Sequence, residues 1–123
     1  MGKEAKIVAK FRERVEGRKA SGKRKALPGI PGVVVYKNHG GRFVSNGRPD
    51  IEVVFRQTYG NVTNDPAVTV FLEFKAPGEK ATPIQAAAHD RLRRAGALVF
   101  VVDSVEAALA VLSANGFPRR AGE

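Results

Sequence analysis

The sequence predicts an α/β protein whose mixed β-sheet core is flanked by helices, in the order α-β-β-β-α-β-α. Three patterns support this prediction: an amphipathic segment near the N-terminus, two strand-like runs joined by a polar loop, and a later strand–helix–strand unit. A hairpin loop makes its two strands antiparallel, whereas a strand–helix–strand unit is expected to be right-handed and parallel. The sheet should therefore contain both kinds of strand pairing.

A first helix is expected over residues 3–19, where apolar side chains recur at helical spacing. Its inward face is predicted to carry Glu4, Ile7, Val8, Phe11 and Val15. Gly17 and Gly22 mark the end of this helix, and a basic loop rich in glycine and proline follows over residues 20–31. A short β-branched strand over residues 33–37 comes next.

Two further strands are expected over residues 51–55 and 68–75, separated by a polar loop over residues 57–66. Alternation along the second strand makes Glu73 and Lys75 share one face. A carboxylate and an ammonium in an otherwise apolar strand are costly to desolvate unless something uses them. The simplest use is a divalent metal ion with a positioned water molecule.

The residues before the first of these strands place another acid near the same pair. A turn at residues 38–41 and a polar connection lead to Pro49 and Asp50. Pro49 fixes its own φ and extends the preceding residue, so that Asp50 stands at the entrance of the strand rather than inside it. In an antiparallel hairpin the early residues of one strand meet the late residues of the other, so Asp50 is expected beside Glu73 and Lys75.

A second helix is predicted to begin at Thr82-Pro83, with Thr82 as the N-cap and Gln85 completing a capping box. It is expected to end at Arg94 or Ala95, just before a glycine. Its buried stripe is predicted to comprise Ile84, Ala88 and Leu92.

Residues 97–102 are almost purely apolar, which is the pattern of a central strand covered on both faces. Ser104 caps a last helix over residues 105–114. The inward side chains of that helix are predicted to be Ala108, Leu109 and Leu112. Residues 1–116 are thus expected to form a single domain, and residues 117–123 a loose, basic C-terminal tail.

The composition favours a polyanionic partner. The chain carries 21 basic and 12 acidic residues, a net charge of +9, which for a small domain is a strong positive field. It has no cysteine, which excludes a disulfide framework, a thiolate metal site and a thiol nucleophile. There is no long apolar run of the kind that spans a membrane and no secretion signal, so an intracellular, cytoplasmic protein is expected.

Four short features follow one another along the chain: Pro49-Asp50, Glu73-x-Lys75, Gln85 at the front of a helix, and a strand–turn–helix run over residues 101–106. Their order resembles that of the virus-type replication-repair nuclease domain, VRR-NUC, of the PD-(D/E)xK nuclease superfamily. The resemblance covers most of the chain and implies a restriction-endonuclease-like fold.

The resemblance implies a Mg²⁺-dependent endodeoxyribonuclease that hydrolyses phosphodiester bonds, with Mn²⁺ able to substitute. Stand-alone members are similar to Holliday-junction resolvases, which implies structure-selective cutting of branched DNA such as four-way junctions, in replication, repair or recombination. Symmetric cutting of both strands by such a small domain requires a C2 homodimer. A virus-type domain also implies a phage-encoded protein that acts in the host cell.

The resemblance assigns catalytic roles to Asp50, Glu73, Lys75 and Gln85. The implied metal ligands are the carboxylates of Asp50 and Glu73, the backbone carbonyl of Phe74, and Glu4 of the opening helix. Lys75 would orient or deprotonate the attacking water, and Gln85 would hold that water or the scissile phosphate. DNA contacts are expected from Lys19, Lys23, Arg24, Lys25, Lys37 and Arg48.

Simpler interpretations stay open for several residues. Glu4 is also a first-turn acid that the helix dipole favours, and Gln85 is also a capping residue. Glu52 is either a second acid or a structural carboxylate, and His89 is either a general acid, a DNA contact or a packed side chain. The alternative functions are a catalytically inactive basic DNA-binding module with the same fold, and a basic structural or RNA-associated protein.

Overall fold

The computed structural model describes residues 2–38 and 47–118. Within these ranges the elements are α1 (Lys3–Glu16), β1 (Val34–Lys37), β2 (Ile51–Phe55), β3 (Thr58–Tyr59), β4 (Val62–Thr63), β5 (Val68–Phe74), α2 (Pro83–Arg94), β6 (Leu98–Val102) and α3 (Val105–Ala114). Most of the turn and connection predicted before Pro49, and the last residues of the predicted tail, lie outside the described residues. No helix in the described part of the chain is long and apolar enough to cross a membrane.

The main sheet has four strands in the order β1-β2-β5-β6. The pairs β1–β2 and β2–β5 are antiparallel, whereas β5–β6 is parallel. The mixed sheet predicted from the hairpin and the strand–helix–strand unit is therefore confirmed. Ile51 lies opposite Leu72, so the entrance of β2 faces the late residues of β5.

The helices cover both faces of this sheet. On β5, the ring of Phe74 packs against Phe11 of α1, with ring centroids 5.2 Å apart, while the adjacent Glu73 contacts His89 of α2. Successive strand residues point to opposite faces, so α1 and α2 lie on opposite sides. Helix α3 contacts α1 and therefore shares its side. The alternation predicted for Glu73 is confirmed.

Strand β6 corrects one prediction. Its apolar composition indicated a central strand, but β6 is at the edge of the four-stranded sheet, and Val101 is 42% exposed. Helices α2 and α3 both contact β6 and cover most of its two faces, although within the described ranges β6 has a strand neighbour on one side only. Apolar composition reports the covering of the faces, not the number of neighbouring strands. The guanidinium of Arg93 donates to the carbonyl oxygen of Val99 at 3.0 Å.

Helix α1 ends at Glu16, three residues before the predicted end. Gly17 has a φ of +85°, and a Cβ there would lie 2.4 Å from the carbonyl oxygen of Leu27, because the following loop folds back on the helix end. Arg18 and Leu27 exchange backbone hydrogen bonds of 2.8 and 2.9 Å that close this loop. The inward face is as predicted, with Val8, Phe11 and Val15 buried and Ile7 partly buried against the core.

The polar loop predicted over residues 57–66 contains a small antiparallel hairpin, β3–β4. The amide of Thr58 donates to the carbonyl oxygen of Gly116 at 2.7 Å, which ties this hairpin to the end of α3. Phe117, the first residue of the predicted tail, packs edge-on against Phe55 with ring centroids 5.0 Å apart. Ser104 caps α3 as predicted, accepting from the amide of Ala107 at 3.0 Å.

Helix α2 has the predicted limits and the predicted capping box, but its buried face differs. Ile84 was expected to be buried and is 58% exposed, whereas Ala88 and His89 are buried. The inward face is rotated toward the side that carries His89. The apolar periodicity missed this rotation because one of the buried side chains is polar.

Candidate active site

Three carboxylates from distant parts of the chain meet at one end of the sheet. Glu4 lies in the first turn of α1, Asp50 precedes β2, and Glu73 is in β5. Each offers one oxygen atom that lies within 4.8 Å of those of the other two. The hairpin geometry predicted that Asp50 and Glu73 approach each other, and the helix adds Glu4 from the face of α1.

Backbone contacts hold Asp50 in this position. Its Oδ2 atom accepts from the amide of Phe74 at 3.3 Å, and its carbonyl oxygen accepts from the amide of Asn38 at 2.7 Å. Pro49 is buried, and its carbonyl oxygen accepts from the side-chain amide of Asn38 at 2.8 Å. Asp50 is therefore tied to the late residues of β5 on one side and to the end of β1 on the other.

Glu73 is fully buried, and no described residue donates a hydrogen bond to either of its carboxylate oxygens. Burial raises its pKa to about 9, a side-chain hydrogen bond with Asp50 and the negative charge of Asp50 act in the same direction, and the Lys75 ammonium opposes them. These effects favour the protonated form of Glu73 while no cation is bound. A buried carboxylate that accepts no hydrogen bond is the group that an added positive charge would stabilise most.

Glu4, a second carboxylate of the cluster, is affected by the same surroundings. Burial raises the pKa of Glu4, and the negative charge of Asp50 raises it further, while the charge of Lys75 lowers it. Lys75 is itself buried, with its backbone amide donating to the carbonyl oxygen of Val102 at 2.9 Å. The charge of its ammonium lowers the pKa of both Glu4 and Glu73.

The donor set fits a hard divalent cation. Carboxylate oxygens are the ligands that such cations prefer in proteins, and the cluster contains three of them. Two of the three carboxylates, Glu4 and Glu73, have raised pKa values because burial disfavours their charged forms and the neighbouring Asp50 adds to this effect. The ammonium of Lys75 alone does not balance the negative charge of the three carboxylates, and a bound cation would supply the remaining positive charge.

The raised pKa of Glu73 makes a prediction about stability in the absence of metal. Its folded pKa of about 9 lies above the ordinary value of 4.5, so in this window the folded state binds more protons than the unfolded state. The contribution of protonated Glu73 to the stability of the folded state is complete below pH 4.5 and is lost as the pH rises toward about 9. The loss for one proton is at most about 1.4 kcal/mol per pH unit.

We therefore expect the Tm of the protein in EDTA to fall between about pH 5 and about pH 8.5, and the replacement Glu73→Gln to remove most of that fall. Thermal unfolding of both proteins over a series of buffers measures the difference. Parallel pH profiles for the two proteins would contradict the raised pKa.

Gln85 is held at the start of α2 by the capping box. Its side-chain Oε1 atom accepts from the backbone amide of Thr82 at 2.9 Å. Its backbone amide donates to the Thr82 hydroxyl oxygen at 3.2 Å. The simpler of the two interpretations of Gln85 is therefore present in the structure. Its predicted role in catalysis remains a prediction.

His89 lies next to the cluster of carboxylates but was not among the residues predicted to form the site. Its Nε2 atom lies 3.4 Å from Oε1 of Glu73, and its side chain is almost fully buried. Burial lowers its pKa, and the charge of Arg93 lowers it further. The available sequence signal was its position one helical turn after Gln85, which also fits an ordinary packed residue.

Glu52 has a structural environment. Its Oε1 atom accepts from the side-chain amide of Asn38 at 3.1 Å and from Nε of Arg48 at 3.2 Å. The structural interpretation of Glu52 is therefore supported. Arg48, one of the predicted DNA contacts, is paired with this carboxylate.

The basic loop after α1 forms a tight turn. Ser21 and Arg24 exchange backbone hydrogen bonds of 3.0 and 2.9 Å, with Lys23 exposed between them. The guanidinium of Arg24 contacts both carboxylate oxygens of Glu13 at 2.9 Å. The remaining predicted DNA contacts, Lys19, Lys25 and Lys37, are exposed.

A four-stranded mixed sheet between helices, with carboxylates gathered at one end of its antiparallel hairpin, defines a protein of the restriction-endonuclease-like fold class. Among solved structures the chain is similar to a "VRR_NUC domain protein", with a TM-score of 0.58 and 17% sequence identity over 91% of this chain and 86% of that one. No protein-family model and no curated protein matches the sequence. The structural likeness establishes the fold that the sequence resemblance predicts.

Proposed function

We propose that the protein is a metal-dependent DNA endonuclease of the VRR-NUC type. The observation that carries this proposal is the meeting of Glu4, Asp50 and Glu73 within 4.8 Å of one another, in a fold shared with a VRR_NUC domain protein. Lys75 supplies a buried ammonium beside them. The net charge of +9 gives the protein the field that a polyanionic substrate requires.

The carboxylates of Asp50, Glu73 and Glu4, with the backbone carbonyl of Phe74, are the groups proposed to hold Mg²⁺, for which Mn²⁺ can substitute. When bound, the cation supplies positive charge against the charge that develops on the phosphate oxygens, and it makes water more acidic. The residues of the chain perform the remaining tasks.

Lys75 is proposed to orient the attacking water or take its proton, and to neutralise the phosphate. Its burial next to carboxylates keeps the ammonium at the site and limits its freedom. Gln85 is proposed to hold the water or the scissile phosphate from the front of α2. The capping contact with Thr82 uses its Oε1 atom, which leaves the side-chain NH2 group to donate to the water or the phosphate.

The preferred substrate is proposed to be branched DNA, such as a four-way junction, cut by a homodimer in replication, repair or recombination. The described residues of one chain contain one such cluster of carboxylates, so cutting both strands symmetrically would require two copies related by a two-fold axis. The virus-type family that the sequence resembles also favours a phage-encoded protein that acts on DNA inside the host cell.

The proposal is tested with supercoiled plasmid and a labelled four-way junction, each incubated with Mg²⁺, with Mn²⁺ and with EDTA. Nicked or linear plasmid in the metal lanes alone is the expected result, with faster cutting of the junction than of a linear duplex of the same length. Retention of DNA without cutting would instead identify an inactive DNA-binding module. If the protein neither cut nor retained DNA, it would be a basic protein with another role.

The basic turn after α1 allows a matched test of DNA binding. Replacing Lys23 by Ala removes an exposed charge and is expected to reduce the slope of log K against log salt by about one unit. Replacing Arg24 by Ala is expected to change the slope less, because Glu13 already neutralises that guanidinium. Fluorescence anisotropy over a salt series measures both slopes. Equal slopes for Lys23→Ala and the unaltered protein would exclude the turn from the DNA interface.

A further inference from the structure

The side of Glu73 that faces α2 contains one buried polar group that the proposed mechanism does not use. The imidazole of His89 is 1% exposed, and its Nε2 atom has no hydrogen-bond partner among the described residues. No described residue donates to either carboxylate oxygen of Glu73, one of which lies 3.4 Å from this Nε2 atom. A buried nitrogen without a partner that faces a carboxylate without a donor carries a cost that native proteins rarely retain without a use.

We propose that His89 is a positioning residue for the cation site: its Nε2–H group donates to Oε1 of Glu73 and orients the carboxylate toward Asp50 and Glu4. This inference rests on the proposed metal-dependent function. His89 lies outside the cluster of groups that, among the described residues, can hold a cation together. It therefore acts through Glu73 and is not itself proposed as a ligand.

The geometry gives this contact a defined effect. A hydrogen bond from His89 to Oε1 of Glu73 would limit rotation of the carboxylate, which would then be held in the cluster with Asp50 and Glu4. Asp50 is already held in a similar way, because its Oδ2 atom accepts from the amide of Phe74. Hydrogen-bonded partners that orient ligand side chains typically change metal affinity by about 10- to 100-fold when they are removed.

The test measures Mn²⁺ binding to the protein without DNA, from the electron paramagnetic resonance signal of the free ion. His89→Leu keeps an apolar side chain in the space but removes the donor, and is expected to weaken Mn²⁺ binding about 10-fold or more. His89→Gln places an amide N–H near the position of Nε2 and is expected to retain affinity within about threefold of the unaltered protein.

Thermal unfolding in EDTA separates positioning from a merely structural role. His89→Leu is expected to leave the metal-free Tm unchanged or raised, because it removes an unpaired buried polar group. The control Ala87→Gly, at an exposed position of α2, is expected to lower the Tm by about 4 °C through helix propensity without weakening Mn²⁺ binding.

Several results would overturn the inference. Unchanged Mn²⁺ affinity in His89→Leu would exclude a positioning role, and so would a loss of affinity in His89→Gln as large as that in His89→Leu. Glu73→Gln is expected to bind Mn²⁺ weakly or not at all. If the wild-type protein bound no more Mn²⁺ than this variant, both the proposed cation site and this inference would be wrong. Binding to the wild type with no effect at His89 would remove the inference alone.

Discussion

Asp50→Asn and Glu73→Gln are each expected to abolish metal-dependent cleavage of plasmid DNA while the protein still binds DNA. Both replacements keep the size of the side chain and remove one of the three carboxylates that approach within 4.8 Å. A bound cation would lower the activation free energy by several kcal/mol, because it stabilises the negative charge of the transition state. Its loss corresponds to a rate decrease on the order of 10³-fold or more. Removing a negative charge does not weaken attraction to a polyanion, so DNA retention should survive.

This expectation is measured by initial rates of plasmid nicking in Mg²⁺, with DNA retention followed by anisotropy in EDTA. Glu106→Gln is the matched control, because it makes the same change of charge at an exposed acid in the first turn of α3. The control should cut at nearly the rate of the unaltered protein. Undiminished cleavage by either Asp50→Asn or Glu73→Gln would remove that residue from the site, and with it the proposed enzyme.

Lys75→Met is expected to lower the cleavage rate by about 10²- to 10⁴-fold, the usual range for loss of a general acid or base. The ammonium is buried beside Glu4 and Glu73, so its loss acts mainly on the reaction and not on the exposed surface that meets DNA first. DNA affinity should therefore change only severalfold. Single-turnover cleavage measures the rate, and anisotropy in EDTA measures the affinity.

Two further variants make the role of Lys75 specific. Lys80→Met removes an exposed lysine from the loop after β5 and should leave the rate nearly unchanged. Lys75→Arg retains a positive charge but cannot release a proton. A rate close to that of the unaltered protein would show that charge suffices, whereas a rate as low as that of Lys75→Met would favour proton transfer. Normal cleavage by Lys75→Met would exclude both roles.

The sequence predicted the elements of the fold and their pairing because these depend on local patterns. Periodicity, the capping box at Thr82 and the polar loop between two strands predict elements that the structure contains with nearly the same limits. The approach of Asp50 to Glu73 also follows locally, since a hairpin brings the two ends of its strands together.

Other features depended on how these elements pack. Apolar content did not distinguish an edge strand whose faces are largely covered from a central strand. The central position predicted for β6 was therefore wrong. Ile84 continued an apolar stripe, but the packed helix turns His89 inward instead. A pattern that counts apolar residues does not register a polar side chain that is buried.

The sequence by itself determined that this chain forms a mixed sheet between helices and brings a proline-flanked acid to the Glu73-x-Lys75 strand, because hydrophobic periodicity and hairpin geometry act over short distances. Only the tertiary structure decided that Glu4 joins the cluster, that no described residue donates to the buried Glu73 carboxylate, and that His89 faces it. Desolvation and the resulting pKa of Glu73 arise from helices packed on both faces of the sheet, and no local pattern contains that arrangement.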